Sequence, residues 1–242
     1  MDRIDPEEVA KKYNSIKVIW DESDKWHIWT KRMINDFIKK SLALIPNYQN
    51  IQILNAGSAG HSYGLDERNI LHIDIAKDRI SHLPNAIVAD IHRIPISYSH
   101  FGLIICVGSV INYCEPMIVL KEFRRLLTSG GYLILEFENS YTLELLGKHA
   151  FNKKATLIDT FYNRKSEKIW FFSESYIREL ARLSGLQLYS IRRCHIISPL
   201  VYRIFKNERL AARFGLLDRL FSFIPILKRF SSNVICLFAK TN

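Results

Sequence analysis

An α/β protein with a doubly wound, mostly parallel sheet is what this sequence predicts, and three observations predict it. Short apolar runs rich in Ile, Val and Leu recur at residues 51–54, 70–74, 86–90, 101–107 and 132–137. Helix-patterned segments lie between several of them, and strands alternating with helices build a parallel sheet with helices on both faces. The run at 101–107 is apolar at nearly every position, as a strand buried on both faces must be.

In chain order, Asp5-Pro6-Glu7-Glu8 reads as a helix start, with a capping aspartate, proline in the first turn and acids where the helix dipole favours them. A second helix is expected from Ser23 or Asp24 to about Ile45, where Pro46 ends it. Met33, Ile34, Phe37, Ile38, Leu42 and Ile45 share one face of it. Trp20, Trp26 and Trp29 lie in or just before this helix, and two readings fit them: packing onto the sheet, or a lid that keeps water from a ligand.

The strand at 51–54 runs into Gly57, Gly60 and Gly64, which let backbone N–H groups approach a ligand with no Cβ in the way. The next strand ends in Asp74, about twenty residues after Asn55. Strand, glycine loop, strand and acid form the pattern of a nucleoside site, where the acid takes ribose hydroxyls. A tight connection between strands would use the same glycines, so downstream elements must decide. There follow a short helix at 76–83 and a strand at 86–90 that ends in a second acid, Asp90. After the strand at 101–107 comes a helix at 115–128, with Leu120, Phe123, Leu126 and Leu127 facing inward and Ser129-Gly130-Gly131 ending it. The strand at 132–137 leads to Glu138, Asn139 and Ser140, and Ser140 is placed to cap another helix.

Residues 155–172 break the rhythm and read as a β-hairpin, with strands at 156–162 and 168–172 around the polar turn 163–167. Ser173 caps a helix to about Ser184, a strand fills 186–193, helices fill 199–229, and 234–239 is the closing strand. No internal repeat or low-complexity linker divides the chain. The expected organisation is one domain, 1–242, with N-terminal helices (1–46), a core (51–138), a hairpin insertion and C-terminal helices (139–232) and a closing strand (233–240).

Hydrophobic residues make up 48% of the 242, enough for a sizeable core. The longest apolar runs are too short to span a bilayer, and the polar N-terminus lacks the apolar stretch of a signal peptide. Cys106, Cys114, Cys194 and Cys236 have no metal-ligand spacing, so no metal is expected and the cytoplasm is the expected compartment. The net charge of +10 raises nucleic acid and anionic membrane as partners. It is unevenly spread: from Arg203 to Arg229 there are seven basic residues and two acids. Residues 216–230 read either as a helix packed on the sheet or as one lying on an anionic surface.

Taken together, the central segment resembles the class I S-adenosylmethionine-dependent methyltransferases. Their first motif, an acid followed by spaced glycines, is similar to Asn55-Ala56-Gly57-Ser58-Ala59-Gly60. Their acid at the end of the second strand falls on Asp74, and Asp90-Ile91-His92-Arg93-Ile94-Pro95 resembles their third motif. Phe101-Gly102-Leu103-Ile104 matches a fourth, with Gly102 where the family often has aspartate. The most specific match is Leu120-Lys121-Glu122-Phe123-Arg124-Arg125-Leu126-Leu127-Thr128-Ser129-Gly130-Gly131-Tyr132-Leu133, similar to the family's Leu-x-Glu-x-x-Arg-x-Leu-x-Pro-Gly-Gly-x-Leu.

The resemblance implies a Rossmann-like seven-stranded sheet and S-adenosyl-L-methionine as cofactor. It implies that residues 55–60 and Tyr63 lie along the methionine and ribose, that Asp74 accepts from both ribose hydroxyls, and that Asp90 takes the adenine amine between Ile75 and Ile91. It brings Val107, Gly108 and Ser109 to the methionyl end. Asn55 departs from the family's acid. Ala59 replaces a glycine, so the loop is expected to avoid positive φ there or to shift onto Gly60. The helix after the loop is expected to be short, because Gly60, Gly64 and Asp66 are poor helix formers.

Methyl transfer needs alignment and, for some acceptors, a base. Glu138 and His195 are the leading candidates, with His61 and Tyr63 behind them. No Asp/Asn/Ser-Pro-Pro-aromatic run follows the fourth strand and no Pro-Cys pair is present, which sets nucleic-acid methylation aside. A small-molecule, sugar or lipid-linked acceptor fits better, walled by the hairpin and the N-terminal tryptophans. Peripheral membrane contact stays open, as does the oligomeric state. Two rivals remain. A nicotinamide-dependent oxidoreductase predicts a regular glycine loop opening a long helix. A degenerate cofactor-binding scaffold is suggested by Asn55 and by the lack of one assured base.

Overall fold

The computed structural model describes residues 4–20, 22, 25–162, 165–205, 207–221 and 223–241. The apolar runs form strands β1 (Ile53–Ala56), β2 (Ile70–Asp74), β3 (Ala86–Val88), β4 (Phe101–Cys106) and β5 (Leu127–Glu138). A hairpin, β6 (Ala155–Tyr162) and β7 (Lys165–Phe172), stands apart as its own two-stranded sheet, and β8 (Leu186–Cys194) and β9 (Asn233–Lys240) complete the main one. The seven strands of the main sheet run in the order β3-β2-β1-β4-β5-β9-β8. β1 pairs in parallel with both β2 and β4, while β9 is antiparallel to β5 and β8. The order therefore reverses between β1 and β4, and such a reversal opens a crevice at the carboxyl edge of the sheet.

Helices α1 (Pro6–Ser15), α2 (Lys25–Leu42), α3 (Lys77–Ile80), α4 (Pro116–Leu126), α5 (Glu174–Leu183), α6 (Ser198–Phe205), α7 (Glu208–Phe221) and α8 (Pro225–Lys228) cover the sheet and its edges. Strand alternation explains the two apolar layers. Ile104 and Cys106 of β4 join Leu120, Phe123 and Ile177 on one face, whereas Leu103 and Ile105 join Ile34, Phe37 and Ile38 of α2 on the other. Two of the starts read from capping residues, at Asp5 and Ser173, form as expected. The Asp5 carboxylate accepts from Glu7 N–H at 2.9 Å, and Ser173 Oγ accepts from Tyr176 N–H at 3.3 Å.

Several local expectations are corrected. Between β1 and β2 only a 3₁₀ turn, Glu67–Asn69, forms among the described residues, so the shortened helix is shorter still. β5 begins directly after α4, which takes Ser129-Gly130-Gly131 into the strand rather than into a helix cap. Its register against β4 shifts there, and Gly130 adopts φ +69°. Ser140 caps no α-helix: its hydroxyl donates to Lys153 C=O at 2.6 Å, and only a 3₁₀ turn, Leu143–Leu145, follows. β7 starts at Lys165, earlier than expected. The hairpin residues Asn163 and Arg164, like the expected start of α2 at Ser23 and Asp24, lie outside the described residues. Among the described residues, no helix is long and apolar enough to cross a membrane.

Candidate active site

The loops after β1, β2, β3 and β4 converge on a cavity of about 270 Å³. The first loop turns at Gly57, whose N–H donates to Ile73 C=O at 2.7 Å. Gly57 has φ +69°, and a Cβ there would stand 2.5 Å from the Val110 side chain, so both backbone and packing demand glycine. Ala59 does not avoid the left-handed region: its φ is +45°. The reason is a charge-assisted bond, for Ala59 N–H donates to Asp74 Oδ2 at 2.7 Å, which offsets a left-handed cost of about 1–2 kcal/mol. A Cβ at Gly60 would meet Arg79 C=O at 2.8 Å, so Gly60 seats the loop on α3 and does not line the cavity. Asn55 also lies behind the wall. Its Nδ2 donates across the loop to His61 C=O, a bond that the family's carboxylate could not donate, while its buried Oδ1 has no partner. Ala56 is fully buried in the sheet beneath.

Asp74 lines the cavity with both oxygens anchored: Oδ1 accepts from Ala76 N–H at 2.8 Å and Oδ2 from Ala59. The Ile75 amide also favours the ionised carboxylate, whose oxygens can each accept more than one hydrogen bond. Burial raises the Asp74 pKa, and these amide bonds together with Arg79 oppose it. Asp90, on the same cavity, accepts from His92 through both the amide at 2.9 Å and ring Nδ1 at 2.6 Å, and its pKa is lowered by that ring first of all. His92 Nε2 accepts from Glu115 N–H, which assigns the ring proton to Nδ1. Glu122 and Arg125 of the helix motif clamp the loop that follows. Glu122 accepts from Ile94 N–H at 2.8 Å, and Arg125 donates to the carbonyls of Ile94 and Ile96. Tyr63, Ile75, Ile91, Val107, Gly108 and Ser109 complete this part of the wall.

A second group sits where β5 meets β9. Alternation along the strand puts Glu136 and Glu138 on one face. Ser109, held at φ +59°, donates its N–H to Glu136 Oε2 and its hydroxyl to Glu138 Oε1 at 3.0 Å. Asn233, opposite Glu138 in the β5–β9 register, donates to Glu136 Oε1 at 2.6 Å and to Glu138 Oε1 at 3.0 Å. Burial raises both carboxyl groups. Glu138, which lines the cavity, is pushed up to about 8, with Glu136 and Glu144 adding to the burial effect. Glu136 was missed in the sequence, although an acid two positions before Glu138 in a strand was signal enough. Asn233 had no such signal, because the β5–β9 register alone brings it there.

The remaining walls come from both ends of the chain. Pro6, Val9 and Tyr13 of α1 face the cavity, and α1 is tied to α3 by Arg79 Nε donating to Tyr13 C=O at 2.9 Å. The Tyr13 and Tyr113 hydroxyls share a hydrogen bond of 3.1 Å. Trp20 and Trp26 line the cavity. Trp29 does not: its indole lies 3.5 Å from where a Cβ on Gly215 of α7 would stand. Ile169 and Phe171 of the hairpin and Pro199 and Tyr202 of α6 close the circle.

His195 is placed differently from the expectation of a base. It is buried and does not line the cavity; Nε2 is bonded to Thr30 Oγ1 at 2.9 Å and Nδ1 to Ser198 Oγ at 3.4 Å. Its ring stacks on Trp26 with centroids 4.5 Å apart, and burial depresses its pKa to about 3. The neutral ring thus supports Trp26 and Thr30 from behind. His61 is likewise off the wall, tilted against Tyr63 at 5.5 Å.

Residues 52–135 match the family model described as a methyltransferase domain. No curated protein matches the chain by sequence. Among solved structures the fold is similar to that of the cyclase SpnF, with 12% identity, a TM-score of 0.62, and all of this chain and 98% of that one covered. It is similar to 1,6-didemethyltoxoflavin-N1-methyltransferase of Burkholderia thailandensis, solved with 1,6-didemethyltoxoflavin and S-adenosylhomocysteine, at 12% identity and TM-score 0.55 over all of this chain and 93% of that one. An S-adenosylmethionine-dependent methyltransferase from Clostridium acetobutylicum gives 15% identity and TM-score 0.56 over 98% and 99%. At such identities the likeness carries the fold, and the family model carries the domain.

Proposed function

We propose that this chain is a class I S-adenosylmethionine-dependent methyltransferase and that Glu138 is the base for methyl transfer to a hydroxyl or amine of a small-molecule, sugar or lipid-linked acceptor. The wall residues suit the cofactor. Asp74 offers its carboxylate oxygens to ribose hydroxyls, Asp90 an acceptor to the adenine amine, and Ile75 and Ile91 an apolar slot for the ring. A Cβ at Gly108 would project toward Trp20, 3.9 Å away, and its absence leaves room for the methionyl end. S-adenosylmethionine, when bound, supplies a methyl group already activated on a sulfonium.

The chain's own work is to hold the acceptor, keep water out and take a proton. Trp20, Trp26 and Tyr13 cover the cavity with rings. Glu138 carries the reading: a carboxyl on the cavity wall, pushed up to about 8 and oriented by Ser109 and Asn233, is a much stronger base than an exposed glutamate. As the acceptor atom takes the methyl, its proton passes to the Glu138 carboxylate. A small-molecule acceptor is supported by the aromatic walls and by the neighbour solved with 1,6-didemethyltoxoflavin. The scaffold reading loses one motive, since Asn55 has a structural task in its bond to His61.

Calorimetric titration with S-adenosylhomocysteine tests the cofactor assignment. Wild type should bind, and Asp74→Ala should bind roughly ten- to a hundredfold more weakly through loss of the charged acceptor. Equal binding by the two proteins would remove Asp74 from the role.

A further inference from the structure

The C-terminal helices leave a surface that the cavity does not use. Phe223 and Ile226, at the corner between α7 and α8, are 78% and 73% exposed, and Ile224 between them is exposed as well. Pro225 starts α8, and Phe230 beyond that helix stacks on Tyr141 with centroids 4.7 Å apart. Three large apolar side chains held together in water need a reason.

Basic side chains stand beside the corner: Lys228 and Arg229 follow Ile226 within one helical turn, Lys228 half-buried and Arg229 exposed. Of the two acids between Arg203 and Arg229, Asp218 is buried and spent on Ser198 and the Ile197 N–H. Apolar wedges with basic side chains about them match the boundary of a bilayer that carries anionic lipid, where rings and aliphatic chains enter the acyl edge and cations meet phosphate.

We propose that the α7–α8 corner docks this protein on an anionic phospholipid surface. The docking does not depend on the reading of the cavity as an acceptor site.

Sedimentation with phosphatidylglycerol–phosphatidylcholine vesicles, beside pure phosphatidylcholine vesicles, tests the docking. Wild type should pellet with the anionic vesicles only, and less at high salt. Phe223→Ser/Ile226→Ser should weaken partition at least roughly tenfold. Lys228→Glu/Arg229→Glu should weaken it at least about fivefold. Both variants should bind S-adenosylhomocysteine as wild type does, which separates loss of docking from loss of folding or of the cofactor site. Failure of wild type to pellet, or equal pelleting by wild type and both variants, would overturn the proposal. So would a wild-type dimer that Phe223→Ser/Ile226→Ser converts to monomer without any vesicle binding, since the face would then be covered by a second copy.

Discussion

Asp74 is held by the amides of Ala59 and Ala76, 15 and 2 residues away, whereas Glu138 is held by the side chains of Ser109 and Asn233, 29 and 95 residues away. The two carboxylates line one cavity, yet they depend on different things. Asp74 rests on backbone that a strand end and a tight loop supply locally. Glu138 rests on the closing strand β9 being docked in register against β5. The glycine-loop side of the cavity should therefore tolerate many side-chain changes and few backbone ones, and the β5–β9 side the reverse. Backbone strain does not follow that division: Ala59 and Tyr63 beside the glycine loop and Ser109 beside Glu138, non-glycine residues at positive φ, all line the cavity.

The largest test of this contrast is Glu138→Gln. If Glu138 is the base, kcat should fall about 10²- to 10⁴-fold with little change in S-adenosylhomocysteine affinity. The wild-type kcat/KM should rise with pH through about 8, and the variant should lose that rise. An equal fall in cofactor affinity would erase the division of the cavity.

Next comes Asn233→Ala, which strips a donor from both buried acids and should cost about 1–3 kcal/mol in urea unfolding. The cost should grow at high pH, where the acids are ionised. The sign in wild type follows from linkage: Glu138 holds its proton up to about 8 in the folded chain and to about 4.5 otherwise. Folded protein therefore binds more protons between those values, and stability falls as pH rises through that window. Thermal melts of Glu138→Gln should show a flatter profile there. The smallest effect is expected on the other side. Ala59→Gly should relieve the left-handed backbone at φ +45° and raise stability by less than about 1 kcal/mol, because glycine also loosens the unfolded chain. A clear loss would mean that the Ala59 methyl, not its amide, matters in that loop.

How much could be read beforehand follows the same line. The five parallel strands and the acids at the ends of β2 and of the 86–90 run were legible because each signal spans a few adjacent residues. Asp74 and Asp90 face the cavity for the same local reason. Ala59 misled because a steric rule for one residue ignores a carboxylate fifteen positions on. Ser140 misled because its hydroxyl found the Lys153 carbonyl instead of a helix to cap. His195 carried the right chemistry for a base, but its neighbours Thr30, Ser198 and Trp26 come from outside its strand and enclose it.

By itself, then, the sequence determined the α/β rhythm, the order of the parallel strands' motifs and the loop that needs glycine at position 57. These rest on periodicity and on backbone geometry, which act over a few residues. Only the tertiary structure decided that Asn233 joins Glu136 and Glu138, and that His195 is shut away. Those outcomes depend on burial and on the β5–β9 register, which shift a pKa or supply a donor across some hundred residues of chain.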